Sequence, residues 1–354
     1  MHRLRFVVVL AAIAALTGCS SGSSSHFAYA TLANGSILGY RADNSSGVLT
    51  ALSGSPFTAG VFPTAITVHS SKKFLYVANE GENDVSLFTI ADSGALTEVT
   101  PRVSTGTNPT SMAIDSSGKY LFVANSGSSS ISAFSIDASS GALTQVTGSP
   151  FPAGPFPVGL TASSSGFLYV VDGVADAVFA YAISSGSGAL TQITGSPYTV
   201  GSSPTAVTVD PSAKFLYATN LASDTVSAFT IAPSGALTPV TGSPFATATS
   251  PVAATVDGSG KFLYIANEGS NNVSAFTIDG NSGALAAITG SPFTVGTAPV
   301  FAIVDSSNKF LFVGNESSTS ISELTINSSS GVLANASQSS YTTTAGPTSM
   351  FTTK

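Results

Sequence analysis

The sequence predicts an all-β fold, a seven-bladed β-propeller with four-stranded blades, and two observations carry that prediction. One motif recurs seven times, as FAYATL at Phe27, FLYVAN at Phe74, YLFVAN at Tyr120, FLYVVD at Phe167, FLYATN at Phe215, FLYIAN at Phe262 and FLFVGN at Phe310, at spacings of 47, 46, 47, 48, 47 and 48 residues. Each period also holds four short runs rich in Val, Ile, Tyr, Phe and Thr, bounded by Gly, Pro, Asn, Asp and Ser, the pattern of strands separated by turns. Strands this short need neighbours stacked on their faces, and a repeated unit of four strands is one propeller blade. No helical periodicity of apolar residues follows residue 18.

Within a period the recurring motif is the second strand. Its apolar residues lie on both faces, with Phe262, Tyr264 and Ala266 on one and Leu263 and Ile265 on the other, as expected when each blade is covered on both sides. A third strand such as Val273 to Asp279 follows, then a turn of the type SGALT, an outer run, usually GSPF, and a Pro-led inner strand such as Pro204 to Asp210. The first period begins at its second strand, and the last Pro-led segment is PTSMFTT, Pro347 to Thr353. The C-terminal strand is therefore expected to complete the first blade, closing the ring and removing an exposed edge.

The domain boundaries read as 1–18 for an export signal, 19–26 for a lipidated cysteine and flexible tether, and 27–354 for the propeller. Arg3 and Arg5 precede an apolar run, Phe6 to Leu16, which is shorter than the ~20 residues of a membrane-spanning helix and suits a signal peptide. Leu16-Thr17-Gly18-Cys19 resembles the lipobox of bacterial lipoproteins. That resemblance implies acylation of Cys19, the only cysteine, and places the protein in the bacterial cell envelope on the periplasmic or outer-membrane side, with the membrane as a partner through its acyl chains.

The whole chain has 11 basic and 18 acidic residues, and the signal accounts for two of the basic ones. An acidic chain of this kind excludes nucleic acid as a partner. Charged residues are only 8 % of the total, against about 25 % in ordinary soluble domains, so Ser, Thr, Asn and Gly must wet the surface.

By repeat length, blade count and the FLYVAN-type signature, residues Phe27 to Lys354 resemble the seven-bladed propeller lactonases, which include 6-phosphogluconolactonases and relatives with YVTN-type repeats. The resemblance implies a carboxylic ester hydrolase with His and Arg at its channel. Here the inner strands (PTAIT, PTSMA, PVGLT, PTAVT, PVAAT, PVFAI, PTSMF) carry no charge, and after the signal the only arginines are Arg41 and Arg102. The third inner-strand position is small in six blades, from Ala65 to Ser349, and Phe301 in the remaining one, where it is expected to plug the axis.

Most other polar residues repeat with the blades and read as architecture. Lys73, Lys119, Lys214, Lys261 and Lys309, with Asp115, Asp210, Asp257 and Asp305, mark one turn, in which Asp can bond backbone two residues on. Asp43, Asp137 and Asp279 mark another, without an EF-hand pattern. His26, assigned to the tether, and His69 are too few for an imidazole metal site. No G-x-S-x-G elbow is present, and neither a cofactor nor a metal is expected.

The candidate site residues are the ones that break the repeat. Asn79, Asn125, Asn220, Asn267 and Asn315 end their strands, but glutamate follows only in three blades, as Glu80, Glu268 and Glu316. These define an acidic arc across blades 2, 6 and 7 with blade 1 between. Blade 2 adds Glu82, Asp84 and Glu98 and replaces GSPF by TPRV, bringing in Arg102. Gathered carboxylates at a channel mouth can act as acid or base, and solvated rim charge is the bland alternative.

Two functions remain open at this point. One is a binding or scaffold module that presents its rim to an envelope protein or glycan. The other is a lactone hydrolase using Glu80, Glu268, Glu316 or Arg102 on a small lactone. A phosphosugar is disfavoured because a phosphate dianion calls for convergent Arg or Lys.

Overall fold

The computed structural model describes residues 25–353; the predicted acylation site at Cys19 lies outside them. Seven antiparallel sheets stand around a common axis. In blade 5 the strands run outward from the axis as Pro204–Val209, Phe215–Asn220, Thr225–Ile231 and Leu237–Pro239, and the other blades repeat this order. The outer strand is broken in two at GSPF, or GSPY in blade 4, in blades 1 and 3 to 6, whereas it is continuous in blade 2 (Leu96–Ser104) and blade 7 (Leu333–Thr342). A 3-10 turn at Ser126–Ser128 is the only helical element among the described residues.

Ring closure follows from the offset of the repeat. Pro347–Thr352 pairs antiparallel with Ser25–Leu32, with Ala30 opposite Met350 and Ala28 opposite Thr352. Phe27 and Thr353 exchange two further bonds, from Phe27 N to Thr353 Oγ1 at 2.9 Å and from Thr353 N to Phe27 O at 2.8 Å. The first strand begins at Ser25, two residues before the expected start of the propeller, because its pairing with the third strand of blade 1 extends to Ser25↔Asp43. His26 accordingly belongs to the blade and not to the tether: it is buried and its Nδ1 lies 2.7 Å from Asn44 Oδ1.

The core is seven apolar clusters, each built from facing sides of adjacent blades. Tyr264 and Ala266 of blade 6 meet Leu311 and Val313 of blade 7, for example. Tyrosines of the second strands fasten one blade to the turn of the next: Tyr29, Tyr76, Tyr169, Tyr217 and Tyr264 donate to the carbonyls of Gly94, Gly141, Gly235, Gly283 and Gly331 at 2.7–3.0 Å. A buried hydroxyl without such a partner costs stability. Burial raises the phenol pKa of all five.

The recurring sequence motifs have structural reasons. In GSPF the serine accepts a third-strand N–H, as Ser149 Oγ does from Ala133 and Ser243 Oγ from Ala228, at 2.9 and 2.8 Å. Asp210 Oδ1 accepts the N–H groups of Lys214 and Phe215 at 2.7 and 2.6 Å, and Asp257 and Asp305 do the same in their blades. His69 substitutes in blade 2 by accepting Ser71 N on Nδ1 at 3.1 Å. Six lysines, Lys72, Lys73, Lys119, Lys214, Lys261 and Lys309, sit in these turns, all on one face of the propeller. The second strands run from this turn face to the opposite face, the channel mouth.

All seven inner strands line an axial channel of about 250 Å³. A threonine after the leading proline stitches four neighbours together: the Oγ1 of Thr64, Thr110, Thr205 and Thr348 donates to the carbonyl of Pro109, Pro157, Pro251 and Pro63. Phe301 does not plug the axis as expected. Its ring is turned onto Gly314, where an added Cβ would fall 2.0 Å from Phe301 Cε1, and joins the core between blades 7 and 1. Glycine stands there where blades 2, 3 and 6 have Ala78, Ala124 and Ala266, and the room it leaves takes the ring.

Candidate active site at the channel mouth

One backbone bond, repeated in every blade, builds the mouth. The N–H after the second strand donates to the carbonyl of the residue before the inner-strand proline, at 2.8–3.0 Å. The pairs are Ala33 with Gly346, Glu80 with Phe62, Ser126 with Asn108, Gly173 with Phe156, Leu221 with Ser203, Glu268 with Ser250, and Glu316 with Ala298. Two residues per blade therefore surround the opening at fixed places. The strand-ending asparagines behind them are fully buried and structural. Asn79 and Asn220 accept Gly60 N and Gly201 N on Oδ1, both at 3.1 Å, and donate from Nδ2 to Ser86 and Ser227 on the third strand.

The predicted acidic positions separate into different surroundings. Glu80 is half-buried, and its Oε1 accepts Asn108 Nδ2 of blade 3 at 3.0 Å. Asn108 is itself held by its N–H, which donates to Asn83 Oδ1 at 2.7 Å. Glu268 is half-buried and makes no side-chain hydrogen bond or ion pair among the described residues. Glu316 is exposed, with its Cγ beside Gly346.

Arg102 does not join Glu80. Its Nη1 bonds Glu82 Oε2 and its Nε bonds Glu98 Oε1 at 2.7 Å, so its charge is neutralised on blade 2. The Glu98 hydrogen bond is the main cause of its raised pKa. Glu82 Oε2 also accepts Val61 N at 3.1 Å. The cleft here, about 260 Å³ between blades 1 and 2, is lined by Gly35, Gly60, Val61, Phe62, Glu82 and Arg102. Asp84 close by has a raised pKa because of burial.

Sequence reasoning missed the apolar part of the mouth. Val61, Phe62, Phe156 and Val174 are exposed by 49, 59, 43 and 67 %, and Phe62 and Phe156 occupy the same mouth position two blades apart. The signal was the change of the strand-ending asparagine to Asp172 in FLYVVD. Asp172 is fully buried and accepts Phe156 N at 2.6 Å, Val174 N at 3.0 Å and Ala175 N at 2.7 Å, so it holds both exposed residues.

A closed seven-bladed propeller with an uncharged channel and a carboxylate-bearing mouth defines the class of protein. The family model "Lactonase, 7-bladed beta-propeller" matches the chain over residues 40–159, 150–253 and 237–349, and the chain belongs to this family. No curated protein matches it in sequence. Among solved structures it is similar to a candidate 6-phosphogluconolactonase from Bacteroides fragilis, with a TM-score of 0.82, 21 % identity and coverage of 95 % of this chain and 100 % of that one. It is also similar to the periplasmic gluconolactonase of Pseudomonas aeruginosa, with a TM-score of 0.80, 21 % identity and coverage of 94 and 99 %. These structural likenesses extend to the fold.

Proposed function

We propose that this propeller is a lactone hydrolase acting at its mouth on an unphosphorylated lactone. The observation that supports the reading most is Glu80, a half-buried carboxylate of a lactonase-family propeller that is held at the opening by Asn108 and engaged on one oxygen only. Hydrolysis needs a base at this place. A water gives its proton to Glu80 as its oxygen bonds the acyl carbon. The ring C–O bond then breaks, and the alkoxide takes the proton back, leaving a hydroxy acid. Glu268 and Glu316 extend the negative rim, and Arg102 serves blade 2, because both of its ion-pair partners, Glu82 and Glu98, are glutamates of that blade.

A phosphorylated substrate fits poorly, since the described lysines lie on the opposite face and a dianion would meet the acidic rim. The Pseudomonas aeruginosa relative is described as a periplasmic gluconolactonase, which supports a compartment outside the cytoplasm. We place the chain there too, anchored through Cys19. The first strand enters the fold at Ser25 on the turn face and ends at Leu32 by the mouth, so such an anchor leaves the mouth facing away from the membrane.

A non-catalytic binding module is the second reading, favoured by one observation: Arg102, Glu82 and Glu98 of blade 2 satisfy one another, and Glu80 is held by Asn108 of blade 3, without a ligand. A hydrolysis panel of unphosphorylated lactones with wild type and Glu80→Gln separates the two. Turnover lost in the variant supports the enzyme, and no turnover by the wild type supports the module.

A further inference from the structure

We infer that the lactone taken at this mouth is uncharged and carries an apolar arm, and that Phe62 and Phe156 select it; the inference rests on the lactone-hydrolase reading above. The Glu80–Asn108 pair joins blades 2 and 3, and the exposed rings bracket it, Phe62 in blade 2 and Phe156 in blade 4. Each ring has an exposed valine beside it in its own blade, Val61 and Val174.

Folding alone does not ask for Phe62. The position before the inner-strand proline holds Asn108, Ser203, Ser250 and Ala298 in other blades, all with φ between 51° and 55°, and Phe62 adopts φ 50° there. A bulky side chain is uncommon in this left-handed region, and strained backbone collects at functional sites. An aromatic ring that is 59 % exposed gains little from burial in return.

Both apolar pairs are also held from behind by carboxylates. Glu82 accepts Val61 N. Asp172 accepts the N–H groups of Phe156 and Val174. These bonds fix the backbone of the exposed residues and leave their side chains to the opening. The Phe156 ring lies over Gly173, 3.6 Å from where a Cβ would stand, so a residue as large as Leu221 at the corresponding place would crowd it.

The charge of the rim decides the kind of ligand. Arg102 is the one described cation on this face, and it is paired twice. Glu80, Glu268 and Glu316 repel anions. What remains attractive is a neutral ring with an alkyl or aryl substituent laid against phenylalanine.

The test compares delta-decalactone, neutral with an alkyl arm, and glucono-delta-lactone, neutral and polar, with wild type and the Phe62→Ser/Phe156→Ser double variant. Serine already stands at this position in blades 5 and 6 as Ser203 and Ser250, so the variant keeps the fold, and its melting curve checks this. The wild type should favour delta-decalactone by roughly tenfold or more in kcat/KM, and the double variant should lose that preference through a raised KM for delta-decalactone. Equal use of both lactones, an unchanged KM for delta-decalactone in the variant, or a wild-type dimer that the two substitutions dissolve would each overturn the inference.

Failure of the underlying reading looks different: the wild type turns over neither lactone, yet saturation-transfer NMR shows delta-decalactone bound to it and not to the double variant. Absence of binding as well as turnover removes both.

Discussion

Tyr341 donates its hydroxyl to Glu323 Oε2 across 2.6 Å in blade 7 and at the same time accepts Leu49 N of blade 1 at 2.9 Å. Glu323 is fully buried on the third strand, where blades 3 to 6 place Ala133, Ala180, Ala228 and Ala275 opposite the second strand. Blade 7 has Phe312 in place of the tyrosine that fastens most other seams. Its seam toward blade 1 is instead spanned through this carboxyl, whose Oε1 stands 2.1 Å from where a Cβ on Gly47 would be.

The buried carboxyl makes stability depend on pH. Burial pushes the Glu323 pKa from 4.5 up to about 7, with nearby Asp305 adding to the rise and the Tyr341 bond opposing it. The unfolded chain releases this proton at lower pH than the folded one, so stability falls as pH rises from about 4.5 to 7 and stays lowered above, by about 3 kcal/mol. Glu323→Gln keeps an acceptor for Tyr341 and removes the charge, and should melt higher than wild type at pH 8 but not at pH 5. Parallel melting temperatures of the two proteins across this range would contradict the assignment.

Closure by the C-terminal strand is a second testable property. Deleting 347–354 removes buried Met350 and the Thr348 bonds to Pro63 O and Thr31 Oγ1, and strips the partner from Ser25–Leu32. The loss should be several kcal/mol, whereas removing residues 19–24 should leave denaturant midpoints nearly unchanged. Similar midpoints for the two truncations would refute the role given to this strand.

The threonine stitches around the channel can be checked singly. Thr64→Val and Thr205→Val leave the carbonyls of Pro109 and Pro251 without these donors, while valine itself fits, since Val158, Val252 and Val300 occupy the position in other blades. Each should cost about 1 kcal/mol in urea unfolding, and no change would mean that water replaces the hydroxyl.

Anchoring is proposed from the segment ahead of the described residues. Cys19→Ala should shift the protein from membrane to soluble fractions and leave residues 1–18 attached; a wild-type chain that mass spectrometry finds without acyl groups removes the proposal.

The features legible in the sequence are those that repeat. Blade count, four strands per blade, closure at Pro347 and the capping role of Asp210 and its equivalents all follow from a period of about 47 residues, because each copy faces the same packing problem. The mouth is legible only in part. Glu80 and Glu268 stood out as interruptions of the repeat, but the pairing of Arg102 with Glu98 depends on the continuous outer strand of blade 2, and its pairing with Glu82 on the turn that brings that residue over, neither of which the periodicity specifies.

Phe62 and Phe156 escaped notice because each looks like one more apolar residue beside a proline; Asp172 in FLYVVD marked only the blade of Phe156, and the backbone bonds to Glu80 and Gly173 reveal the place the two share at the rim. Glu323 offered a readable signal, an acid inside the apolar third strand SISELTI, whose partner Tyr341 is 18 residues away and set by the continuous outer strand. Phe301 was misread for a related reason: the space that receives it is made by Gly314 on the neighbouring strand.

The central claim, hydrolysis by a carboxylate at the mouth, is tested most directly by measuring lactone hydrolysis at neutral pH with wild type, Glu80→Gln and Glu268→Gln side by side. The account predicts that wild type opens an unphosphorylated lactone, that Glu80→Gln lowers kcat about a hundredfold or more, and that its melting temperature stays close to that of wild type. Full activity in Glu80→Gln, or no activity in wild type toward any unphosphorylated lactone, would contradict it.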